Sequence, residues 1–274
     1  MCRFVVYRGK PVLLARVISE PEHSLIEQSY QPKEMTAGTV NVDGFGVGWY
    51  NRALDATPCV YTSILPIWND RNLPGLSRHI ASDCILANVR SATPGFGLDQ
   101  SNCQPFTYER LLFMHNGFIE NFRDTLLRKI RDSLRDEYYR LIQGTTDSEH
   151  IFALVLNFLH GREYTQQTLV AALQETVAQL LEWTHGRQMH MALNIALSDG
   201  EHVAVLRFAN SSPAPSLYYL PNSPAFPDGV VIASEKLSAD PEWRAVPAGH
   251  LITCSNAFDV HVTNLSCPDA TEAA

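Results

Sequence analysis

The order of hydrophobic patterns along the chain predicts an α+β fold, one domain of two sheets with covering helices. Three observations lead there. Strand-like runs occupy both ends of the chain, and helical periodicity fills the middle. No linker rich in Gly, Ser or Pro divides it. The 274 residues, 45% of them hydrophobic, are enough for a large core in one or two domains. The domain is placed at residues 2–265, with 266–274 as a frayed tail.

Residues 2–7, CRFVVY, are apolar and rich in Val, Phe and Tyr, and predict a strand that holds the start of the chain rigidly. Residues 11–31 read as irregular, with one short helix around 24–30. In TVNVDGFGVGWY, residues 39–50, Gly44, Gly46 and Gly48 alternate with Phe45, Val47 and Trp49. One face of that strand is bare backbone, which weakens it unless something approaches closely. A turn at 55–58 leads to a strand at 59–64. A short helix follows at 73–80, then a buried strand, CILANV, at 84–89 that ends on Arg90. Another strand, 111–114, closes at His115-Asn116-Gly117.

Helices are expected at 120–134 and 136–143. Thr146 or Asp147 caps the next one, with Glu149 in its first turn. Ile151, Leu154, Val155 and Phe158 line one side of it. The helical period continues over 165–183 through Leu169, Leu173, Val177, Leu180 and Leu181. Strands return at 189–197 and 202–208 around the hairpin signal Ser198-Asp199-Gly200-Glu201. Further strands are expected at 217–220, 230–234, 250–254 and 260–262.

Composition excludes several functions. A net charge of -8, with no cluster of Lys and Arg, argues against wide nucleic-acid contact. No stretch approaches 18 uninterrupted apolar residues, so no membrane span is expected. The first apolar run is broken by Arg8 and Lys10, too soon for a signal peptide. The six cysteines are scattered and form no CxxC pair, which disfavours a disulfide framework or a zinc knuckle. Cytoplasm follows, a compartment that keeps thiols reduced.

Cys2 then stands out. If Met1 is removed, one residue carries a thiol and a free α-amine. In an unperturbed chain such groups titrate near pH 8.5 and 7.7–8.0. The amine can therefore take a proton from the thiol without a histidine, the N-terminal form of the nucleophile-and-base pair. Asn116-Gly117 has two readings: a tight turn, or an amide and a glycine N–H that donate to a developing oxyanion. Arg90 either reaches solvent or forms a fork for a substrate carboxylate. Asp147 either caps a helix or binds an ammonium group.

Six stretches resemble the class II glutamine amidotransferases, a family whose nucleophile is an N-terminal cysteine. They are MCRFVVYRG, DGFGVGWY, NVRSATPG, HNGFIEN, TTDSE and SEKLSADPEWRAVPAG, spread over essentially the full length. The resemblance implies the N-terminal-nucleophile hydrolase fold, a four-layer αββα sandwich of two antiparallel sheets. Within the family the chain is most similar to short members that cleave γ-glutamyl amides. These are the ergothioneine-pathway hydrolase acting on a γ-glutamyl hercynylcysteine sulfoxide and a subunit of a glutathione-degrading complex.

Residue roles follow from the resemblance. Cys2 matches the nucleophile, and Asn116 and Gly117 the oxyanion pair. Arg90 matches the clamp on the α-carboxylate, and Asp147 the acid that holds the α-ammonium. Relatives that feed ammonia to a synthase often carry Trp or Tyr where this chain has Ser91. That departure suits a leaving amine bulkier than ammonia, and a pocket far larger than glutamine would point the same way. The implied reaction is hydrolysis of a γ-glutamyl amide through a cysteinyl thioester. A glutaminase subunit passing ammonia to a partner, or a non-catalytic binding subunit, are the alternatives. A homo-oligomer or a partner subunit fits either.

Other candidates carry less. His115 is either a base or, better, a group that orients Asn116 by a hydrogen bond. Trp68 lines the pocket mouth or packs a surface loop. Cys84 and Cys103 read as small core residues. The remaining histidines are too dispersed for a metal site, and neither a metal nor an organic cofactor has a task in this chemistry.

Overall fold

Along Arg3–Leu13 (β1), alternate residues serve two different cores, as a strand with both faces covered requires. Val5 and Tyr7 pack on one side and Phe4 and Val6 on the other, all buried. The computed structural model describes residues 2–35, 38–92, 99–211, 213–255 and 258–265. The tail expected to fray, 266–274, lies outside the described residues, as do residues 93–95 of the NVRSATPG stretch.

After β1 come α1 (Leu14–Ile18), α2 (Leu25–Tyr30), β2 (Phe45–Asn51), β3 (Asp55–Ser63), α3 (Leu73–Ser77), β4 (Ala81–Val89), β5 (Phe106–Tyr108) and β6 (Leu111–Ile119). The helical block is α4 (Phe122–Thr125), α5 (Leu127–Ser133), α6 (Asp136–Leu141), α7 (Asp147–Leu159) and α8 (Gln166–Thr184). The closing strands are β7 (Met191–Ser198), β8 (Val203–Ala209), β9 (Tyr218–Ser223), β10 (Phe226–Ala233), β11 (Arg244–Ala245), β12 (His250–Cys254) and β13 (Val260–Asn264).

Two antiparallel sheets result. One runs β11-β9-β10-β1-β4-β2-β3 and the other β13-β12-β8-β7-β6-β5. Three apolar clusters separate four layers. One core lies between α7, α8 and the second sheet, another between the short helices and the first sheet, and a third between the sheets. This is the αββα sandwich that the resemblance implies. Helix α8 starts on a capping box in which Thr165 and Thr168 satisfy each other's N–H groups. In α7, Thr146 is the cap, accepting from the Glu149 N–H, and Asp147 is the first helical residue.

Several expectations are corrected. Strand β1 runs on to Leu13. Its pairing with β10 stops at Gly9 and its pairing with β4 shifts between Arg8 and Val12, so Pro11 sits where no ladder N–H is missed. The helix expected at 120–134 is split into α4 and α5 at Leu126. Most important, Asn116-Gly117 does not close a strand. Strand β6 continues through it and pairs with β7 as far as Ile119↔Met191. A Cβ on Gly117 would lie 1.9 Å from the Ala192 carbonyl oxygen, so the glycine serves close packing rather than a turn.

The bare face of β2 is filled by the chain at Cys103–Pro105. A Cβ on Gly46 would lie 2.1 Å from the Gln104 carbonyl oxygen. That approach is what lets Gln104 reach β6. Gly46→Ala is expected to displace this backbone and to lower stability by about 1–3 kcal/mol, measured as a fall in the urea midpoint together with loss of activity.

Candidate active site

Strand β1 places Cys2 directly before a strand that is hydrogen-bonded on both sides, by β4 and by β10. Cys2 is half-buried and its Sγ lies 3.9 Å from the Ser91 carbonyl oxygen. Its own carbonyl accepts from Arg3 Nη1 at 2.9 Å. The other described cysteines differ. Cys84 and Cys103 are buried, as expected of core residues, and burial pushes their thiols up to about 12 and about 11. Cys59 is exposed on edge strand β3.

Cys2, Arg90, Gln104, His115, Gly117 and Asp147 line one narrow cleft of about 30 Å³. A pocket far larger than glutamine, which would point to a bulky leaving group, is not what the described residues form here. Arg90 follows β4 and is only 4% exposed. Its Nη1 donates to the Asp43 carbonyl at 3.1 Å, and no carboxylate pairs with it among the described residues. The other two buried arginines are paired, Arg3 with Glu235 at 2.6 Å and Arg8 with Asp83 at 3.3 Å. A buried guanidinium without a counter-charge is costly, and an anionic ligand in this cleft removes the cost.

Asp147 is held from two directions. Its Oδ2 accepts the Ile119 N–H at 2.9 Å and its Oδ1 the Ser148 N–H at 2.8 Å. The carboxylate keeps further lone pairs and faces the same cleft as Arg90. One cleft thus presents a positive and a negative group beside a thiol.

The Gly117 N–H follows from strand parity. The His115 N–H donates to Gln104 Oε1 at 2.6 Å and the Ile119 N–H to Asp147, so odd residues of β6 point away from β7. β5 covers β6 only up to Phe113. The Gly117 N–H is therefore directed to an open edge, between two neighbours already satisfied by side chains. Asn116 is fully buried and is not among the residues lining the cleft. Its Nδ2 donates one hydrogen to Ser234 Oγ at 3.2 Å, and its Oδ1 has no partner among the described residues.

His115 is committed on both ring nitrogens. Nε2 lies 3.2 Å from the Ala192 carbonyl, which only accepts, so Nε2 carries the hydrogen. Nδ1 lies 2.9 Å from Ser148 Oγ. Burial pushes its pKa below the usual histidine value, against the opposing pull of Asp147 and the Ala192 carbonyl. It lines the cleft as a neutral ring and has no free nitrogen for a base. Trp68 is not brought to the cleft. It lies 41% exposed on the turn Ile67–Asn69, edge-on to Tyr30 at 5.5 Å. Gln104 was not legible as a site residue. The only sequence signal is the following Pro105, which favours an extended residue before it.

Among the described residues no group of three or more His, Cys, Asp or Glu could hold a metal ion, and no helix is long and apolar enough to cross a membrane.

Residues 13–227 of the chain match the family described as Glutamine amidotransferases class-II, a span that begins beyond Cys2. The chain belongs to that family. It is 34% identical to the probable glutamine amidotransferase DUG3 of Saccharomyces cerevisiae, covering 92% of this chain and 81% of that protein. It is 30% identical to the γ-glutamyl-hercynylcysteine sulfoxide hydrolase of Mycolicibacterium smegmatis, over 96% of this chain and 98% of that protein. Among solved structures, a class II glutamine amidotransferase domain protein from Silicibacter pomeroyi superposes with a TM-score of 0.69 at 27% identity, covering 97% and 100% of the two chains. The phosphoribosylpyrophosphate amidotransferase of B. subtilis shares the fold, with a TM-score of 0.65 at 15% identity over 97% of this chain and 50% of that one.

The titratable groups around the site predict acid sensitivity. Burial depresses the pKa of His115 and of His150, so the unfolded chain binds more protons, and stability falls as pH drops below about 6.5. Burial pushes Glu235 up, but the His23 hydrogen bond, the Lys33 N–H, the Arg3 charge and the Glu34 N–H outweigh it and hold it at about 2. Its contribution is complete above its ordinary value of 4.5 and is lost as pH falls toward about 2. Urea midpoints are expected to be level between about pH 7 and 8 and to fall above about pH 9, where the unfolded chain ionises the thiols that burial keeps protonated in the fold. Below about pH 7 they are expected to fall in these two stages. Glu235→Gln is expected to flatten the lower one.

Proposed function

We propose that the chain hydrolyses a γ-glutamyl amide, with Cys2 as nucleophile once Met1 is removed. The observation that carries this reading is the buried Arg90 charge, with no carboxylate partner among the described residues, sharing a narrow cleft with Asp147 and the Cys2 thiol. That arrangement fits the α-carboxylate and α-ammonium of a free amino-acid end, with a side-chain carbonyl reaching the sulfur. The names of the two curated relatives support it.

In the proposed reaction the α-amine of Cys2 accepts the thiol proton and the sulfur attacks the γ-carbonyl carbon. The carbonyl oxygen becomes negative against the Gly117 N–H, and a substrate that wedges the cleft apart on binding brings it within reach of the second hydrogen of Asn116 Nδ2, which the cleft as it stands does not expose. Donors fixed beforehand stabilise that charge without reorganisation, and each contributes about 3–4 kcal/mol. The C–N bond breaks, the amine leaves with a proton, and water then releases glutamate from the thioester. Arg90 and Asp147 select against internal peptide bonds, which offer neither charge. His115 and Gln104 hold the edge of β6 in place.

The reading places the reaction in the cytoplasm and leaves the leaving amine to be assigned by assay. Glutamate release should be compared for glutamine, glutathione and γ-glutamyl-hercynylcysteine sulfoxide. Preference for a conjugate supports an amide hydrolase, whereas preference for glutamine supports a glutaminase supplying ammonia to a partner. Cys2→Ala is expected to reduce turnover by at least about 10³-fold. Arg90→Ala is expected to remove a charged hydrogen bond of about 1.5–3 kcal/mol, a loss of about 10- to 150-fold in kcat/KM carried mainly by KM. Retention of wild-type KM by Arg90→Ala would remove the carboxylate clamp from the account.

A further inference from the structure

We infer that Ser234 and Glu235, directly after β10, are positioning residues that hold the nucleophile and the oxyanion amide in register across the two sheets. The inference rests on the roles proposed above for Cys2 and Asn116. Both residues are essentially inaccessible to solvent. At Ser234 the backbone leaves the ladder with β1. Its N–H still donates to the Phe4 carbonyl at 3.0 Å, but the returning bond from the Phe4 N–H goes to its Oγ at 3.1 Å. The hydroxyl thus stands where a strand carbonyl would be. The same Oγ accepts from Asn116 Nδ2, which belongs to the other sheet, at 3.2 Å. One oxygen atom joins the strand that follows Cys2 to the amide of Asn116.

This contact also anchors the Asn116 amide at one edge. With its nitrogen toward Ser234, one of its two hydrogens is bound and the second is left for a ligand. Removing the hydroxyl frees the amide to turn, and an oxygen turned outward would repel an oxyanion.

Glu235 grips the other side of the nucleophile. Its Oε1 accepts from Arg3 Nε at 2.6 Å and from the Glu34 N–H at 3.0 Å. Its Oε2 lies 2.8 Å from His23 Nε2 and 2.8 Å from the Lys33 nitrogen. Arg3 Nη1 in turn donates to the Cys2 carbonyl. All this fixing lies on the backbone of Cys2 and Phe4, away from the charges that select the substrate.

The expected signature is therefore a kcat effect. Ser234→Ala should lower kcat and the rate of thioester formation about 10- to 100-fold, the scale of a misplaced oxyanion donor, with KM within about twofold of wild type. Ser234→Thr, which keeps the hydroxyl, should recover most of that loss. If Ser234→Ala does not fold, Glu235→Gln, which keeps the shape, should show the same kcat-over-KM split. A wild-type kcat in folded Ser234→Ala or, where that variant does not fold, in Glu235→Gln, or a rise in KM with kcat unchanged, overturns the inference. Cys2→Ala in the same assay separates the two levels. If Cys2→Ala is inactive while Ser234→Ala is fully active, only the positioning role falls. If Cys2→Ala turns over normally, the nucleophile assignment falls first.

Discussion

The pairing of β1 on both of its edges is the constraint on which the site depends. A chain terminus ordinarily frays, because few contacts repay the entropy of fixing it. Here Arg3 is opposite Val89 of β4, and Phe4 exchanges hydrogen bonds with Ser234 beyond β10. Phe4, Val5, Val6 and Tyr7 are all buried, on alternate faces. The order that this burial imposes extends to residue 2. A nucleophile that carries its own base needs that order, since thiol and amine move with one backbone.

Three buried arginines near or within the first sheet show how charge separates structure from recognition. Arg3 and Arg8 each have a carboxylate partner, and removing one member of such a pair leaves a buried charge unpaired. Among the described residues Arg90 contacts a carbonyl and no carboxylate, yet it is as deeply buried as Arg8. Asp147 complements it from α7, on the other side of the interface between sheets and helices. The cleft between them belongs to no single element, which is why its two charges come from the end of a strand and the first turn of a helix.

Much of the architecture was legible in local pattern. The alternating glycines of β2 announced a close approach, and the Gln104 backbone fills that space. The period of α8 and the cap at Thr146 stood in the residues themselves. The misreadings have physical reasons. Asn-Gly suits a turn locally, but pairing with β7 carries β6 through it, and crowding by Ala192 supplies the need for glycine. For Trp68 the sequence left two readings open, the pocket mouth or the packing of a surface loop, and the structure takes the second. The Trp68 ring's partner is Tyr30, far away in sequence. Gln104 and Ser234 make contacts 11 and 118 residues distant, which no local pattern encodes. Roles for Cys2, Arg90, Asp147 and Gly117 could be proposed from motif resemblance, but their meeting in one cleft is a property of the fold.

The most direct test is mass spectrometry of protein quenched in acid during turnover of a γ-glutamyl substrate. The account predicts an N-terminal peptide that begins at Cys2, lacks Met1 and carries one γ-glutamyl group on sulfur. Full activity in protein that retains Met1, or an acyl group found on any residue other than Cys2, would contradict it.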